Sequence, residues 1–301
     1  MKDTPPVPWF QPRSKKQYAA YMAVLVALMV GCILGAVWFK TRVASVPPVI
    51  QKSRNLLEER KYDEAVALLL PVIAEIEKSG GAEDPRLVKH FDLLAQIYEA
   101  TGKPGDAEPL WRRSWQMRSK ALGSDHPESI GSADKLAMSL IAQKKFPEAE
   151  PLLKKSLAHR EAAFSPDDDR IMPSLNRLAE LYVSAGRFAD AEAVARRGVA
   201  IARSKIGLQP VALAESRRWL GAALAGQGKF DEAVPFYAGA LEMKARQLPE
   251  AAHIPPKPGQ IAHADFAALC RETAGVNRKA GREKEAKELE EKAELILHPK
   301  Q

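Results

Sequence analysis

Six similar segments recur along this chain, five of them at a constant spacing of 42 residues. The spacing is clearest at one position, here called the marker position, which falls at Tyr62, Pro104, Phe146, Phe188 and Phe230. A degraded sixth copy has Glu283 at the marker position, 53 residues further on. A period of about 20 to 50 residues is the signature of an array of stacked structural units. This recurrence therefore constrains the fold more than any other feature of the sequence.

The residues before the marker position follow the pattern of a helix with one buried face. Four copies have a leucine ten residues before the marker, then a small residue, and a large apolar residue four positions after the leucine. The three sets are Leu94, Leu136, Leu178 and Leu220; Ala95, Ala137, Ala179 and Gly221; and Tyr98, Leu140, Tyr182 and Leu224. Positions i, i+1 and i+4 share one helical face. We therefore expect a first helix that packs closely against its neighbours.

A turn and a second helix are predicted around the marker position. Four copies have glycine two residues before the marker, and Lys144 replaces it once. A glycine there is typical of a left-handed residue that ends a helix. Three residues after the marker, all six copies have alanine preceded by Asp or Glu, an acid that complements the amide dipoles of a first helical turn. Each copy is therefore predicted to be a hairpin of helix A, a turn and helix B.

These residues resemble the tetratricopeptide repeat, whose usual unit has about 34 residues. The longer period and the segment Leu-Gly-Ser-Asp-His-Pro at 122–127 are similar to the kinesin-light-chain type of the repeat. In that segment Asp125 and Pro127 are typical of an N-cap region that leads into the next helix A. The resemblance covers roughly residues 50–298 and implies an all-α, right-handed superhelical solenoid of about six helix–turn–helix repeats. Because this repeat serves many unrelated partners, it implies a class of function and no particular partner.

The repeat domain is predicted to span residues 49–298. Its repeats are expected at about 49–79, 87–121, 129–163, 171–205, 213–247 and 262–298. The Pro-rich segment 255–259 lengthens the last connection, and the final helix B is strongly charged. A charged outer face is what the end of a solenoid needs for solubility.

A long uncharged segment precedes the repeats. Residues 18–39 carry no charge, and these 22 residues would form a helix of about 33 Å, which matches a hydrocarbon core of about 30 Å. A cleaved signal peptide is the alternative, but it would have a shorter apolar core and a small-residue cleavage site, whereas Lys40 and Arg42 follow here at once. We predict a Pro-rich polar tail at 1–17, a transmembrane helix at 18–39 and a linker at 40–48.

The flanking charges indicate the orientation of the predicted transmembrane helix. Arg13, Lys15 and Lys16 precede it, and Lys40 and Arg42 follow it, which favours an N-terminus inside the cell. The expected location is the plasma (inner) membrane, as a single-pass protein with an extracytoplasmic repeat domain, periplasmic in a Gram-negative bacterium. A cytoplasmic repeat domain is the alternative.

Two glycines of the predicted transmembrane helix lie on one face. Gly31 and Gly35 form a small-xxx-small pair, which lets two helices approach closely. The pair predicts a homodimer through the anchors, although glycine is also common in membrane helices that do not pair.

The net charge of +7 belongs mainly to the N-terminal region. Residues 1–48 have six basic side chains and one acidic one, so the remaining 253 residues carry only +2. No basic stripe with interleaved aromatic residues is present, and nucleic acid is not an expected partner. The lipid bilayer is the expected partner of the basic excess.

The sequence has no recognisable catalytic motif. The P-loop, nucleophile-elbow and dinucleotide-binding patterns are absent. His253, His263 and Cys270 do not have the spacing of a zinc site. Cys32 lies in the predicted transmembrane helix and therefore cannot pair with Cys270 in one chain. We expect no enzyme activity, no cofactor and no bound metal.

The predicted partner-binding surface is the concave groove lined by stacked helices A. In the kinesin-light-chain type, an Asn pair before the leucine holds the backbone of an extended peptide; here Asn176 matches, and Arg177 stands in the second place. The charges are acidic in repeats two and three and basic in repeats four and five, which would orient a peptide. A merely solvated helix face is the alternative. The candidates are Lys89, Asp92, Gln96, Asp134, Met138, Asn176, Arg177, Glu180, Glu215 and Arg218.

Together these features predict a membrane-anchored scaffold that binds a peptide or protein partner in the groove of its helical repeats. The alternative is a structural or assembly factor of a membrane complex, which self-associates through its anchor and its outer repeat faces.

Overall fold

The computed structural model describes residues 48–204, 210–247 and 261–297 of the chain. These residues form twelve α-helices and one short 3₁₀-helix, Asp169–Ile171, and they contain no β-strand. The helices are α1 (Pro48–Glu58), α2 (Tyr62–Gly80), α3 (Leu87–Ala100), α4 (Pro104–Leu122), α5 (Pro127–Ala142), α6 (Phe146–Phe164), α7 (Met172–Ser184), α8 (Phe188–Ser204), α9 (Pro210–Gly226), α10 (Phe230–Gln247), α11 (Ile261–Lys279) and α12 (Glu283–Leu297).

The chain divides into two compact units, Met1–Lys52 and Ser53–Gln301. In the first unit, the described residues are the first turn and a half of α1. The predicted tail at 1–17, the predicted transmembrane helix at 18–39 and nearly all of the predicted linker at 40–48 lie outside the described residues. Among the helices that the structure describes, none combines the length and the apolar character required to cross a bilayer.

The second unit is a linear stack of helical hairpins. From α2 to α12, each helix packs against the helix that follows it in the chain. The helices A of repeats three, four and five (α5, α7 and α9) also contact one another in succession. This arrangement confirms the predicted all-α solenoid of helix–turn–helix repeats. Its right-handed sense stays a prediction.

The turn inside each hairpin has the predicted left-handed residue. Gly102, Gly186, Gly228 and Gly281 have φ between 72° and 79°, and the equivalent Arg60 and Lys144 adopt φ 59° and 60°. The marker residue then begins helix B. The geometry of the hairpin therefore imposes this conformation, because Arg60 and Lys144 adopt it although a side chain makes it unfavourable.

The connection between repeats ends one helix and caps the next. Helix α4 ends at Leu122, and its C-cap residue Gly123 has φ 95°. The N-cap of α5 is His126, whose ring nitrogen Nδ1 accepts a hydrogen bond from the backbone N–H of Glu128 at 3.2 Å. Asp125, which the sequence placed in this N-cap region, instead forms an ion pair with Lys155 at 3.0 Å. Its carboxylate therefore helps to hold the connection against α6.

The predicted helix-A faces form the core. Leu136, Ala137 and Leu140 are completely buried, and Leu178 and Leu220 are nearly so. The small residue after Leu220 is required by helix B. A Cβ atom on Gly221 would lie 2.7 Å from the ring of Tyr237, so the smallest residue stands where a large aromatic side chain crosses it. Burial of these side chains against the next hairpin is the main stabilising contribution in a stack of this kind.

Candidate partner-binding surface

The ten candidate residues lie on four helices A, namely α3, α5, α7 and α9. Lys89 and Gln96 are exposed, whereas Asp134 and Asn176 are buried. The other six are half-buried, and they are Asp92, Met138, Arg177, Glu180, Glu215 and Arg218. The candidates therefore divide into residues that face solvent and residues that belong to the contacts between helices.

In repeat two, Asp92 joins helix A to helix B. Its carboxylate accepts hydrogen bonds from Arg118, with Nη2 at 2.5 Å and Nη1 at 3.1 Å. The hydroxyl of Ser114, one turn before Arg118 on α4, donates a short hydrogen bond to the same carboxylate. Both oxygens of Asp92 are thus satisfied within the hairpin.

In repeat three, Asp134 occupies the same position and also reaches the next repeat. Its side chain is 2% exposed, and Oδ2 accepts from Arg160 on α6 at 2.9 Å and from Arg177 on α7 at 2.7 Å. Arg160 also donates to the hydroxyls of Ser156 and Ser174. The other carboxylate oxygen, Oδ1, is buried and has no hydrogen-bond partner among the described residues. One carboxylate therefore serves two guanidinium groups from two different repeats.

In repeat four the same position carries a neutral side chain. Asn176 donates through Nδ2 to the carbonyl oxygen of Ala212 at 3.0 Å, and its Oδ1 accepts from Ser216 Oγ at 2.6 Å. Ala202 stands where the two previous repeats have Arg118 and Arg160. An amide replaces the carboxylate where the arginine is missing, which avoids an unpaired buried charge.

In repeat five the charges are reversed. Arg218 donates to Glu272 on α11, with Nε at 2.9 Å from Oε2 and Nη2 at 2.5 Å from Oε1. Glu215 forms an ion pair with Lys244 on α10 at 3.0 Å. Arg218 thus links repeats five and six, as Arg177 links repeats three and four.

These contacts correct the expected polarity of the surface. Asp92 and Asp134 were expected to make repeats two and three acidic, and Arg177, Arg217 and Arg218 to make repeats four and five basic. Four of these side chains, Asp92, Asp134, Arg177 and Arg218, are instead each paired with an opposite charge from a neighbouring helix. These four charges are therefore not free to orient a bound peptide.

Glu180 differs from these residues because it forms no ion pair and no hydrogen bond with the described parts of the chain. Burial is the largest influence on its carboxyl group and raises its pKa to about 7. The positive charge of Arg218 opposes this shift, the negative charge of Glu215 adds to it, and Arg177 opposes it. Even with two guanidinium groups nearby, the ionised carboxylate is poorly compensated.

Sequence reasoning missed the residues of helix B that bond to the aspartates of helix A. Ser114 and Arg118 on α4 recur as Ser156 and Arg160 on α6, one period later. A Ser–Arg pair at i, i+4 places both side chains on one helix face. This recurrence was the signal that helix B contributes an arginine to Asp92 and to Asp134.

The described residues include no group of three or more side chains suited to hold a metal ion. Cys270 is buried and unpaired, and burial raises the pKa of its thiol. Cys32 and His253 lie outside the described residues.

The stacked hairpins, and the ion pairs and hydrogen bonds that join their helices, define a helical repeat protein with an extended row of helices A. Models of the tetratricopeptide repeat match residues 90–128, 129–204 and 176–252. The repeats of this chain are therefore tetratricopeptide repeats, as their resemblance to that family implied. A search of the curated proteins found no match.

Solved structures with the same fold include relatives of the kinesin light chain. The nearly identical TPR-like repeats of a putative kinesin light chain from Podosopora anserina are 25% identical, with a TM-score of 0.57, covering 67% of this chain and 95% of that chain. BtubC (BKLC) from P. vanneervenii is 18% identical, with a TM-score of 0.55, covering 79% and 90%. NprR in complex with its cognate peptide NprX is 15% identical, with a TM-score of 0.57, covering 93% and 77%.

Proposed function

We propose that this chain is a membrane-anchored scaffold that holds a peptide or protein partner along its row of helices A. The observation that carries the proposal is that the polar residues of this row fall into two groups, those bonded within the fold and those without such bonds. Asp92, Asp134, Asn176 and Arg218 are used by the fold, while Lys89, Gln96 and Glu180 are available to a partner. Tetratricopeptide repeats typically serve protein–protein interaction, and NprR, which shares the fold, is bound to a peptide.

A double charge change at the exposed positions tests the surface. Lys89→Glu with Gln96→Lys is expected to lower partner recovery by about tenfold, because central contact residues contribute on the order of 1–2 kcal/mol each. Neither side chain forms a hydrogen bond or ion pair with the described residues, so the fold should be preserved. The measurement is quantitative mass spectrometry after affinity purification of the full chain from its native membranes.

Lys287→Glu is the matched control for this experiment. Lys287 is exposed on the last helix, α12, away from the proposed surface, and it makes no ion pair with the described residues. Its recovery of partners should equal that of the unchanged chain. Equal recovery by the double variant would remove the row of helices A from the proposal. Variants at Asn176 or Arg218 are unsuitable, because each also breaks a contact between repeats.

The anchor at 18–39 is the second part of the proposal and is supported by sequence alone. We expect the full chain to stay in the membrane fraction after alkaline carbonate extraction, whereas a chain starting at Val49 should be released. Protease added to spheroplasts should degrade the repeat domain, because the flanking charges favour an extracytoplasmic location. Protection of the repeat domain in spheroplasts, together with degradation after lysis, would favour the cytoplasmic alternative.

The assembly-factor alternative depends on Gly31 and Gly35, which would let two anchors pack closely. It predicts a crosslinked homodimer in membranes that disappears when both glycines are replaced by leucine. A crosslinked homodimer that persists in that variant would contradict this role for the glycines.

A further inference from the structure

We propose that Glu180 receives the cationic side chain, lysine or arginine, of a bound peptide. The inference rests on the proposed function and adds to it the chemistry of one residue of the partner. Glu180 lies on α7 in repeat four, in the middle of the row of helices A. Met138 one repeat earlier and Ala222 one repeat later occupy the same helical position, so the carboxylate is flanked along the row by apolar side chains.

The first argument is a comparison of Glu180 with equivalent carboxylates. Each of the other half-buried or buried carboxylates on α3, α5, α7, α9 and α11 has a donor from this chain, within the ranges that the structure describes. Asp92 and Asp134 bind arginine, and Glu215 binds Lys244. Glu272 binds Arg218, and Glu99 accepts from the indole N–H of Trp111 at 2.9 Å. Among these half-buried or buried carboxylates, Glu180 is the one without a donor from the described residues.

The second argument is that the nearby cations are already engaged. Arg177, three residues before Glu180 on α7, donates to Asp134 on α5 at 2.7 Å. Arg218 on α9 directs two nitrogens to Glu272 on α11. Arginine in such geometry is held by its partner carboxylate. The two guanidinium groups nearest in charge to Glu180 are therefore each held by a different carboxylate.

The third argument is the charge that remains. Glu215 on α9 lies close enough to Glu180 to raise its pKa, and among the described residues Glu215 forms one ion pair, with Lys244 on α10. Each of the cations Arg177, Arg218 and Lys244 is thus bound to a carboxylate other than Glu180. A lysine or arginine from a partner would supply the donor that Glu180 lacks among the described residues, and a charged hydrogen bond to a half-buried carboxylate favours binding by about tenfold or more.

The test uses the full chain in detergent micelles and a positional-scanning library of fluorescein-labelled nonapeptides. Each pool fixes one position as Lys, Arg, Ala or Glu, and binding is measured by fluorescence anisotropy. At one position, the Lys and Arg pools should bind about tenfold more tightly than the Ala pool. Glu180→Gln should reduce this preference to less than about twofold while leaving the Ala pool unchanged.

A pH series gives an independent readout. Because the carboxyl group of Glu180 has a pKa of about 7, the affinity for the Lys pool should rise about tenfold from pH 6 to pH 8. The groups that face it are Arg177 on its own helix, and Glu215 and Arg218 on α9. Their carboxylate and ammonium partners Asp134, Lys244 and Glu272 complete the surroundings, and the Glu180→Gln variant should show no such rise.

Glu291→Gln serves as the matched control, because Glu291 is exposed on α12 and has no ion pair with the described residues. It should keep both the cation preference and the pH dependence. A cation preference that is absent, or that persists unchanged in Glu180→Gln, overturns the inference but leaves the proposed function intact. Failure of every pool to bind would count against the proposed function itself and would overturn the inference with it.

Discussion

Replacing Asp134 with alanine should lower the free energy of unfolding by about 3–5 kcal/mol, the usual cost of removing one partner from a buried ion pair. Two guanidinium groups, from Arg160 and Arg177, would lose their shared carboxylate. The first belongs to the same hairpin and the second to the next one, so the change weakens both a repeat and its junction. Urea denaturation followed by circular dichroism measures the loss.

The loss of stability in Asp134→Ala should be concentrated in the helices around the substitution. The stability of a stacked array depends on contacts between neighbouring repeats, so amide hydrogen exchange should accelerate most in α5 and α7. Asp265→Ala is the control, because Asp265 is exposed on α11 and has no hydrogen bond or ion pair with the described residues. It should change the free energy of unfolding by less than about 0.5 kcal/mol.

A double variant tests the reason for the loss. Asp134→Asn with Arg160→Ala reproduces the neutral arrangement of Asn176 and Ala202 in repeat four. We expect it to be less destabilised than the sum of the two single variants, by about 1 kcal/mol or more, because directly bonded residues are coupled. Additive losses would mean that the ion pair contributes nothing beyond the packing of its two side chains.

Changing Glu180 to glutamine should remove a pH-dependent loss of stability of about 2–3 kcal/mol. The folded chain holds the Glu180 carboxyl at a pKa of about 7, above its ordinary 4.5. Between these values the folded state binds more protons at this group than the unfolded state. This contribution to stability is therefore fully present below about pH 4.5, is lost as the pH rises to about 7, and then stays constant.

The measurement is the difference in unfolding free energy between the unchanged chain and Glu180→Gln at pH 5 and pH 8. Taking the difference removes the titration of groups that the two proteins share. Relative to the unchanged chain, the variant should gain about 2 kcal/mol over this interval, whereas Glu291→Gln should follow the unchanged chain. Parallel pH curves for Glu180→Gln would show that its carboxylate is well solvated in the folded state.

Much of the fold follows from local patterns that recur. The large–small–large spacing around Leu136 and Leu178 predicts a helix and the face that it buries, because both depend on residues within about one helical turn. The left-handed turn was predicted at the glycines, and the structure shows it at Arg60 and Lys144 as well. It also moves the N-cap of α5 from the neighbourhood of Asp125 to His126, a change of one residue that propensity alone does not resolve.

The partner-binding surface was harder to predict, because a side chain opposite the buried face of its helix can still be covered by side chains of other helices. Asp134 stands opposite the leucine face, as Lys89 and Gln96 do, yet it is buried by arginines that lie 26 and 43 residues away in the chain. Glu180 appears equivalent to Met138 and Ala222 by repeat position. The side chains of the adjacent repeats distinguish it, because none of those that the structure describes donates to its carboxylate.

The amino-acid sequence by itself determined that this chain forms stacked helical hairpins, since a 42-residue recurrence of apolar faces, turn residues and helix-starting acids leaves few other ways to remove those faces from water. The tertiary structure alone decided which polar residues hold the stack together and which remain for a partner. The physical reason is that ion pairs such as those of Asp134 and Arg218 join different helices. Their formation depends on distances of a few ångströms that helical periodicity does not specify.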